Sequence, residues 1–289
     1  MVIYRLHHAT IYEYAEPVLL GTHFMHLVPR TRPGQTIRES VLDVSPTPDN
    51  RRNEVDHFGN FTTTVSLTNP HKQFTVALSA TIDVAQPAPP APASTPGFEQ
   101  IAAASINRAD IAEYTLPSAL AAPNIELAAY AKTSFPAGEP ILSGLLNLNQ
   151  RVFNDMTYKP GVTNTATTAS HALKNRVGVC QDYAHLMIAA LRAVGLPARY
   201  VSGYLRTSPP AGQVKRRGAD QSHAWVSAWI GDYAGWVDFD PTNNLLVSDE
   251  HVTLAWGRDF QDVSPLRGII LGGGRHTLRV NVDLDPVLT

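Results

Sequence analysis

The chain changes its hydrophobic period twice. Up to about residue 85, apolar and polar residues alternate: Phe74, Val76, Leu78, Ala80, Ile82 and Val84 are interleaved with Thr75, Ser79, Thr81 and Asp83. Phe61, Val65 and Leu67 alternate in the same way with Thr62, Thr64, Ser66 and Thr68. A period of two puts each set on its own face of a strand and predicts antiparallel sheet. Asn69-Pro70-His71 separates the two runs, so they are expected to form a hairpin. A further strand is expected near 40–44, ended by Ser45-Pro46-Thr47-Pro48-Asp49-Asn50, and His57-Phe58-Gly59-Asn60 reads as a turn into the next strand.

Residues 86–96 contain five prolines, which deny the segment helix and central strand and favour an extended connector. Beyond it the apolar spacing lengthens to three and four, predicting helices over 125–135 and 141–156 and a short one over 170–174. From Cys180 to Val194 the chain is apolar on nearly every face, which marks a buried central helix. Gly195 and Pro197 supply its stop. The period then returns to two over 199–205, 223–230 and 235–239, with a turn at 231–234. Residues 207–220, which include Lys215-Arg216-Arg217, read as an exposed loop, and 254–274 as irregular. The glycine triplet at 272–274 precedes an alternating strand and no helix, so it is a turn rather than a phosphate loop. The expectation is an α+β chain: a β-rich domain at 1–85, a linker at 86–96 and a second domain at 97–289.

Composition narrows the function classes. With 289 residues, 44% hydrophobic and 17% charged, the chain is ordinary globular protein able to bury a sizeable core. A formal net charge of −2 supplies no basic field, so no nucleic acid is expected as partner. No uninterrupted apolar run reaches membrane-spanning length and the N-terminus has no signal-peptide core, so no membrane partner and a cytoplasmic location are expected. One cysteine excludes an internal disulfide and a Cys-based zinc site. The pairs His7-His8 and His23/His26 lack partner carboxylates at helical spacing, and no metal is assigned to them.

That cysteine is where chemistry concentrates. A lone cysteine is most often a small buried hydrophobe. Cys180, however, opens the central helix, where the macrodipole and unpaired backbone N–H groups favour the nucleophilic thiolate. A thiol nucleophile needs a base and a group that holds the base in one tautomer. In the strand at 223–230, His223, Trp225, Ser227 and Trp229 share one face, and Ala224, Val226, Ala228 and Ile230 share the other, which suits the core. His223 and Trp225 are therefore expected to look toward the helix. In the next strand Trp236, Asp238 and Asp240 share a face, and periodicity leaves two acids to orient His223. Asp240 stands where Pro241 ends the strand.

These residues carry a resemblance. Gly178-Val179-Cys180-Gln181-Asp182, Ser222-His223-Ala224-Trp225 and Trp236 with Asp240-Pro241-Thr242 look like the three core motifs of transglutaminase-like proteins, in the same order. The β-rich N-terminal segment with His57-Phe58-Gly59-Asn60 looks like the N-terminal domain of bacterial members, and Gly257-Arg258-Asp259 with the glycine triplet like their C-terminal part. The resemblance implies a papain-like fold, with the cysteine on a helix against an antiparallel sheet that carries His and Asp. It points to Asp240 over Asp238, and implies Cys180 as nucleophile, His223 as base and then acid, and Asp240 as orienter. Gln181, Trp225, Trp236 and Tyr158 are weaker candidates for contact with substrate, Tyr158 as a second oxyanion donor beside the Cys180 N–H. The implied reaction is acyl transfer on a peptide or protein carboxamide through a thioester, with no metal or cofactor. Water as acceptor gives an amidase or cysteine peptidase, an amine gives a transglutaminase, and loss of chemistry leaves a binding module. The N-terminal domain is a candidate surface for a protein partner.

Overall fold

The computed structural model describes residues 1–207 and 220–287, so most of the predicted loop with Lys215-Arg216-Arg217 lies outside the described residues. The N-terminal half is built on one long strand, β1 (Val2–Met25), followed by β2 (Gln35–Ser45), β3 (Asn50–Val55), β4 (Phe61–Leu67) and β5 (His71–Val84). Their order is β2-β5-β1-β4-β3, all antiparallel. The predicted hairpin between β4 and β5 does not form. Gly21 pairs with Leu67 and Val18 with His71, so β4 and β5 lie end to end along one edge of β1 and run the same way. Pro70 has no N–H to give the ladder, and here it interrupts an edge without reversing the chain.

After the connector come α1 (Phe98–Ile106), α2 (Ala109–Ala112), α3 (Ile125–Lys132), α4 (Ile141–Asp155), β6 (Thr157–Tyr158), α5 (Ala169–Asn175) and β7 (Val177–Gly178). The central helix α6 (Cys180–Arg192) follows, and then β8 (Ala198–Leu205), β9 (Gln221–Trp229), β10 (Trp236–Asp240), β11 (Leu245–Leu246) and β12 (His251–Gly257). These strands form a second antiparallel sheet, ordered β11-β10-β9-β8-β12. Every residue of α6 except Cys180 is buried, as its all-round apolar sequence requires. Gly195, at φ 76°, takes the left-handed conformation that closes the helix, with its N–H on the Arg192 carbonyl.

The stretch read as irregular contains the end of β12, α7 (Phe260–Val263) and β13 (Leu266–Gly272), followed by β14 (His276–Pro286). β13 and β14 pair along the other edge of β1, from Met25↔Leu266 to Tyr4↔Pro286. The last strands thus return to the first sheet rather than staying with the residues that follow the connector. A 24-residue strand has two long edges of unpaired backbone groups, and β4, β5, β13 and β14 between them cover both.

The two sheets share one apolar core, and polar side chains stitch them together. The free edge of β12 is capped by two amides from the first sheet's side. Gln35 exchanges hydrogen bonds with the Thr253 backbone (2.8 Å each way), and Asn60 with Trp256 (2.9 and 3.0 Å). His8 on β1 meets the Tyr204 hydroxyl of β8 at 2.8 Å. Among the described residues no helix is long and apolar enough to cross a membrane.

Candidate active site

Cys180 is the first residue of α6 and is partly exposed. The turn before it is built by Asp182, whose Oδ2 accepts the Val179 N–H and the Thr163 hydroxyl, both at 2.7 Å. A Cβ on residue 178 would collide with that carboxylate. Gly178 is thus required by close approach, not by an unusual backbone angle. Burial pushes the Asp182 carboxyl up despite those two donors.

His223, near the start of β9, donates from Nε2 to Asp240 Oδ2 at 2.8 Å. The Cys180 thiol lies close enough to act on the same imidazole through hydrogen bonding and charge. Burial alone would lower its pKa, but the hydrogen bonds to Asp240 and Cys180 outweigh burial and raise it well above that of a free imidazole. Asp240 is fully buried at the end of β10. Its Oδ1 accepts the N–H groups of Thr242 and Asn243 (2.9 and 3.2 Å), an Asx-type turn that terminates the strand at Pro241. Burial would raise this carboxyl; donors from His223, His251 and Asn243 hold it far below the usual carboxylate range.

Between the two acids left open by periodicity, the imidazole of His223 pairs with Asp240. Asp238 has other partners: Arg32 Nη1 reaches its Oδ2 at 2.5 Å, and the Trp225 indole N–H at 3.4 Å. Trp225 is fully buried, edge-on to the His251 ring at 5.3 Å, so it presents no surface to a substrate and departs from the sequence expectation. Trp236 is drawn away too. The Arg199 guanidinium lies 4.2 Å from its ring and 3.6 Å from that of Trp256. Trp236, with Arg32 and Tyr233, lines a separate pocket of about 350 Å³. Gln181 turns its amide to the Thr165 carbonyl at 3.3 Å. Tyr158 pairs with Gly178 across β6 and β7, is 47% exposed, and lies near enough to Cys180 for the sulfur to add to the burial that raises its phenol.

Two neighbours of Asp240 escaped sequence reading. Asn243 donates from Nδ2 to Oδ2 at 2.7 Å and could have been found as the Asx partner of the Asp-Pro-Thr turn. His251 donates from Nε2 to the same oxygen at 3.3 Å and carried no signal, being brought in by β12 from the far edge of the sheet. His223, Asp240 and His251 offer donor atoms within 4.8 Å of one another. A metal would need unprotonated imidazole nitrogens there, whereas both Nε2 atoms face the carboxylate as N–H donors. Two of the N-terminal histidines are engaged as well: His8 with Thr10 and Tyr204, His26 with Asp56.

Two family models match the chain: the transglutaminase-like superfamily core over residues 129–241, and the bacterial transglutaminase-like N-terminal region over residues 4–83. An uncharacterized protein of Mycobacterium tuberculosis is 37% identical over 292 residues, covering 98% of this chain and 92% of its own. One from Mycobacterium leprae is 32% identical, covering 97% of each. A protein-glutamine gamma-glutamyltransferase of Pseudomonas aeruginosa is 38% identical over 87 residues, 30% of this chain and 13% of that protein. The crystal structure of a "putative cysteine protease" from Cytophaga hutchinsonii superposes with a TM-score of 0.78 at 24% identity, covering 100% of this chain and 91% of that one, and so shares the fold. By its two matched regions and its full-length relatives, the chain belongs to the transglutaminase-like superfamily.

Proposed function

We propose that the protein is a thiol enzyme that hydrolyses carboxamide or peptide bonds through a thioester. Cys180 is the nucleophile, His223 the base and then the acid, and Asp240 the group that orients His223. The observation that carries this reading is the 2.8 Å hydrogen bond from His223 to the buried Asp240 carboxylate, with Cys180 close enough to act on the same imidazole. With its proton affinity raised, His223 serves as the imidazolium partner of a thiolate. The sulfur attacks the carbonyl carbon, forming the C–S bond while the π electrons move to oxygen. The oxyanion faces the Cys180 backbone N–H, which has no partner inside the helix, and the Tyr158 phenol serves as second donor. Collapse breaks the C–N bond as His223 protonates the leaving nitrogen. Water, deprotonated by His223, then attacks the thioester and the C–S bond breaks, restoring the thiolate.

The test is alkylation by iodoacetamide across pH, read by mass spectrometry on intact protein, beside His223→Ala. With one cysteine, every adduct reports on Cys180. Fast labelling that persists well below about pH 8 and slows in the variant supports the reading. An ordinary thiol profile would replace it with a non-catalytic binding module. The local relation to the Pseudomonas gamma-glutamyltransferase favours a second reading, in which an amine resolves the thioester. A glutaminyl peptide supplied with and without a labelled amine separates the two: label in the peptide marks transfer, ammonia without label marks hydrolysis. The cytoplasmic placement belongs to the same reading and is tested by cell fractionation.

A further inference from the structure

Asp240 Oδ2 is crowded. It accepts from His223 Nε2 (2.8 Å), Asn243 Nδ2 (2.7 Å) and His251 Nε2 (3.3 Å). His251 is 1% exposed, and its other nitrogen has a partner too. The Ser248 backbone N–H points at Nδ1 at 3.4 Å. A backbone N–H can only donate, so Nδ1 is the accepting side of the ring and Nε2 the side that donates to the carboxylate. The edge-on contact with Trp225 fixes the plane of the ring. His251 is thus a buried, tautomer-locked donor to the acid of the candidate triad.

We propose that His251 is a positioning residue that tempers Asp240: by sharing Oδ2 with His223 it sets how tightly the imidazolium of His223 holds its proton. This rests on the triad reading above. The Oδ1 turn and Asn243 already hold the carboxylate in place, so the contribution of His251 is electrostatic rather than a matter of rotamer. A donor on a carboxylate withdraws charge from it, and a second donor on the same oxygen weakens the pull on the first. Among the described residues, the titratable groups facing His223 are Cys180 from α6, Asp240 from β10 and His251 from β12. His251 is the one of these three that lies outside the proposed triad. A His223 held too tightly cannot protonate the leaving nitrogen; the shared oxygen lowers that hold.

The experiment needs no substrate. Alkylation of Cys180 by anionic iodoacetate is accelerated by a neighbouring imidazolium and that by neutral iodoacetamide is not, so the ratio of the two rates against pH falls where His223 loses its proton. In His251→Phe that fall is expected to move to higher pH by roughly half to one unit, and in His251→Gln, whose amide keeps a donor, to return toward the wild-type position. Asn243→Ala, at an exposed position, removes another donor from the same oxygen and is expected to move the fall the same way, which keeps the idea testable if His251→Phe does not fold. A wild-type ratio without any fall would sink the Cys–His pair itself. A wild-type fall that coincides with those of His251→Phe and Asn243→Ala, or that moves to lower pH in them, overturns the proposal for His251 alone. Loss of activation in His251→Phe together with failure of His251→Gln to restore it would mark His251 as merely structural.

Discussion

The side-chain amide of Asn60 pairs with the backbone of Trp256 as a neighbouring strand would, donating at 2.9 Å and accepting at 3.0 Å. Asn60 is fully buried, and the same amide also holds Arg30 Nη1 and Asp56. Asn60→Ala leaves an N–H and a C=O of Trp256 unpaired inside the protein. The expected cost is about 2–4 kcal/mol, read as a lower urea midpoint with unchanged slope. A loss under about 0.5 kcal/mol would mean that water replaces the amide.

Gly178 and Asp182 are expected to be coupled. Gly178→Ala forces the Asp182 carboxylate away from Val179 and Thr163, at about 1–3 kcal/mol. In the background of Asp182→Ala the same substitution should cost much less. The double-mutant cycle measures this directly, and additive effects would show that the crowding lies elsewhere.

The two acids of β10 should separate cleanly. Asp240→Asn is expected to lower turnover of a substrate peptide by about 10³–10⁴-fold through loss of the imidazole's partner. Asp238→Asn leaves Arg32 without its buried carboxylate and removes the charge that also favours Arg199. Its expected signature is a stability loss of about 3–5 kcal/mol with the pH profile of Cys180 labelling retained. The reverse pattern would exchange their assignments.

Acid should weaken the first sheet. Burial lowers the pKa of His8 and of His23 to about 4, with a smaller push from His7 and His71 respectively. The unfolded chain takes up these protons near pH 6.5 and the folded chain only near 4, so between those values the unfolded state binds more protons. Stability is therefore full above about pH 6.5 and falls as pH drops toward 4. His23 stacks on Phe74 at 3.9 Å and its Nε2 has no partner, so His23→Phe should flatten part of that slope. Urea midpoints from pH 7 to pH 4 give the comparison; parallel curves would remove His23 from the account.

Much of the local structure was legible. The period of two marked β5, β8 and β9, and the all-round apolar run marked α6 with its glycine stop, because burial and backbone geometry act on neighbouring residues. The Cys180, His223 and Asp240 motifs were likewise readable, since each sits in a short stretch with its own turn chemistry. The acid that faces His223 could be chosen only by resemblance: Asp238 and Asp240 share a strand face, and nothing in their spacing says that Arg32, from the connection between β1 and β2, would take one of them.

The rest depended on pairing across distance. Asn69-Pro70-His71 looks like a turn, yet β4 and β5 run on along β1, because a strand of that length offers more edge than one partner can cover. The return of β13 and β14 to the first sheet follows from the same unmet edge. Trp225 and Trp236 were weaker candidates for contact with substrate, but their rings are claimed by His251 and by Arg199. His251 had no local mark at all. Alternation and helical spacing record which way a side chain faces within its own element, whereas hydrogen-bond partners on separate strands are settled only when the sheets close on one another.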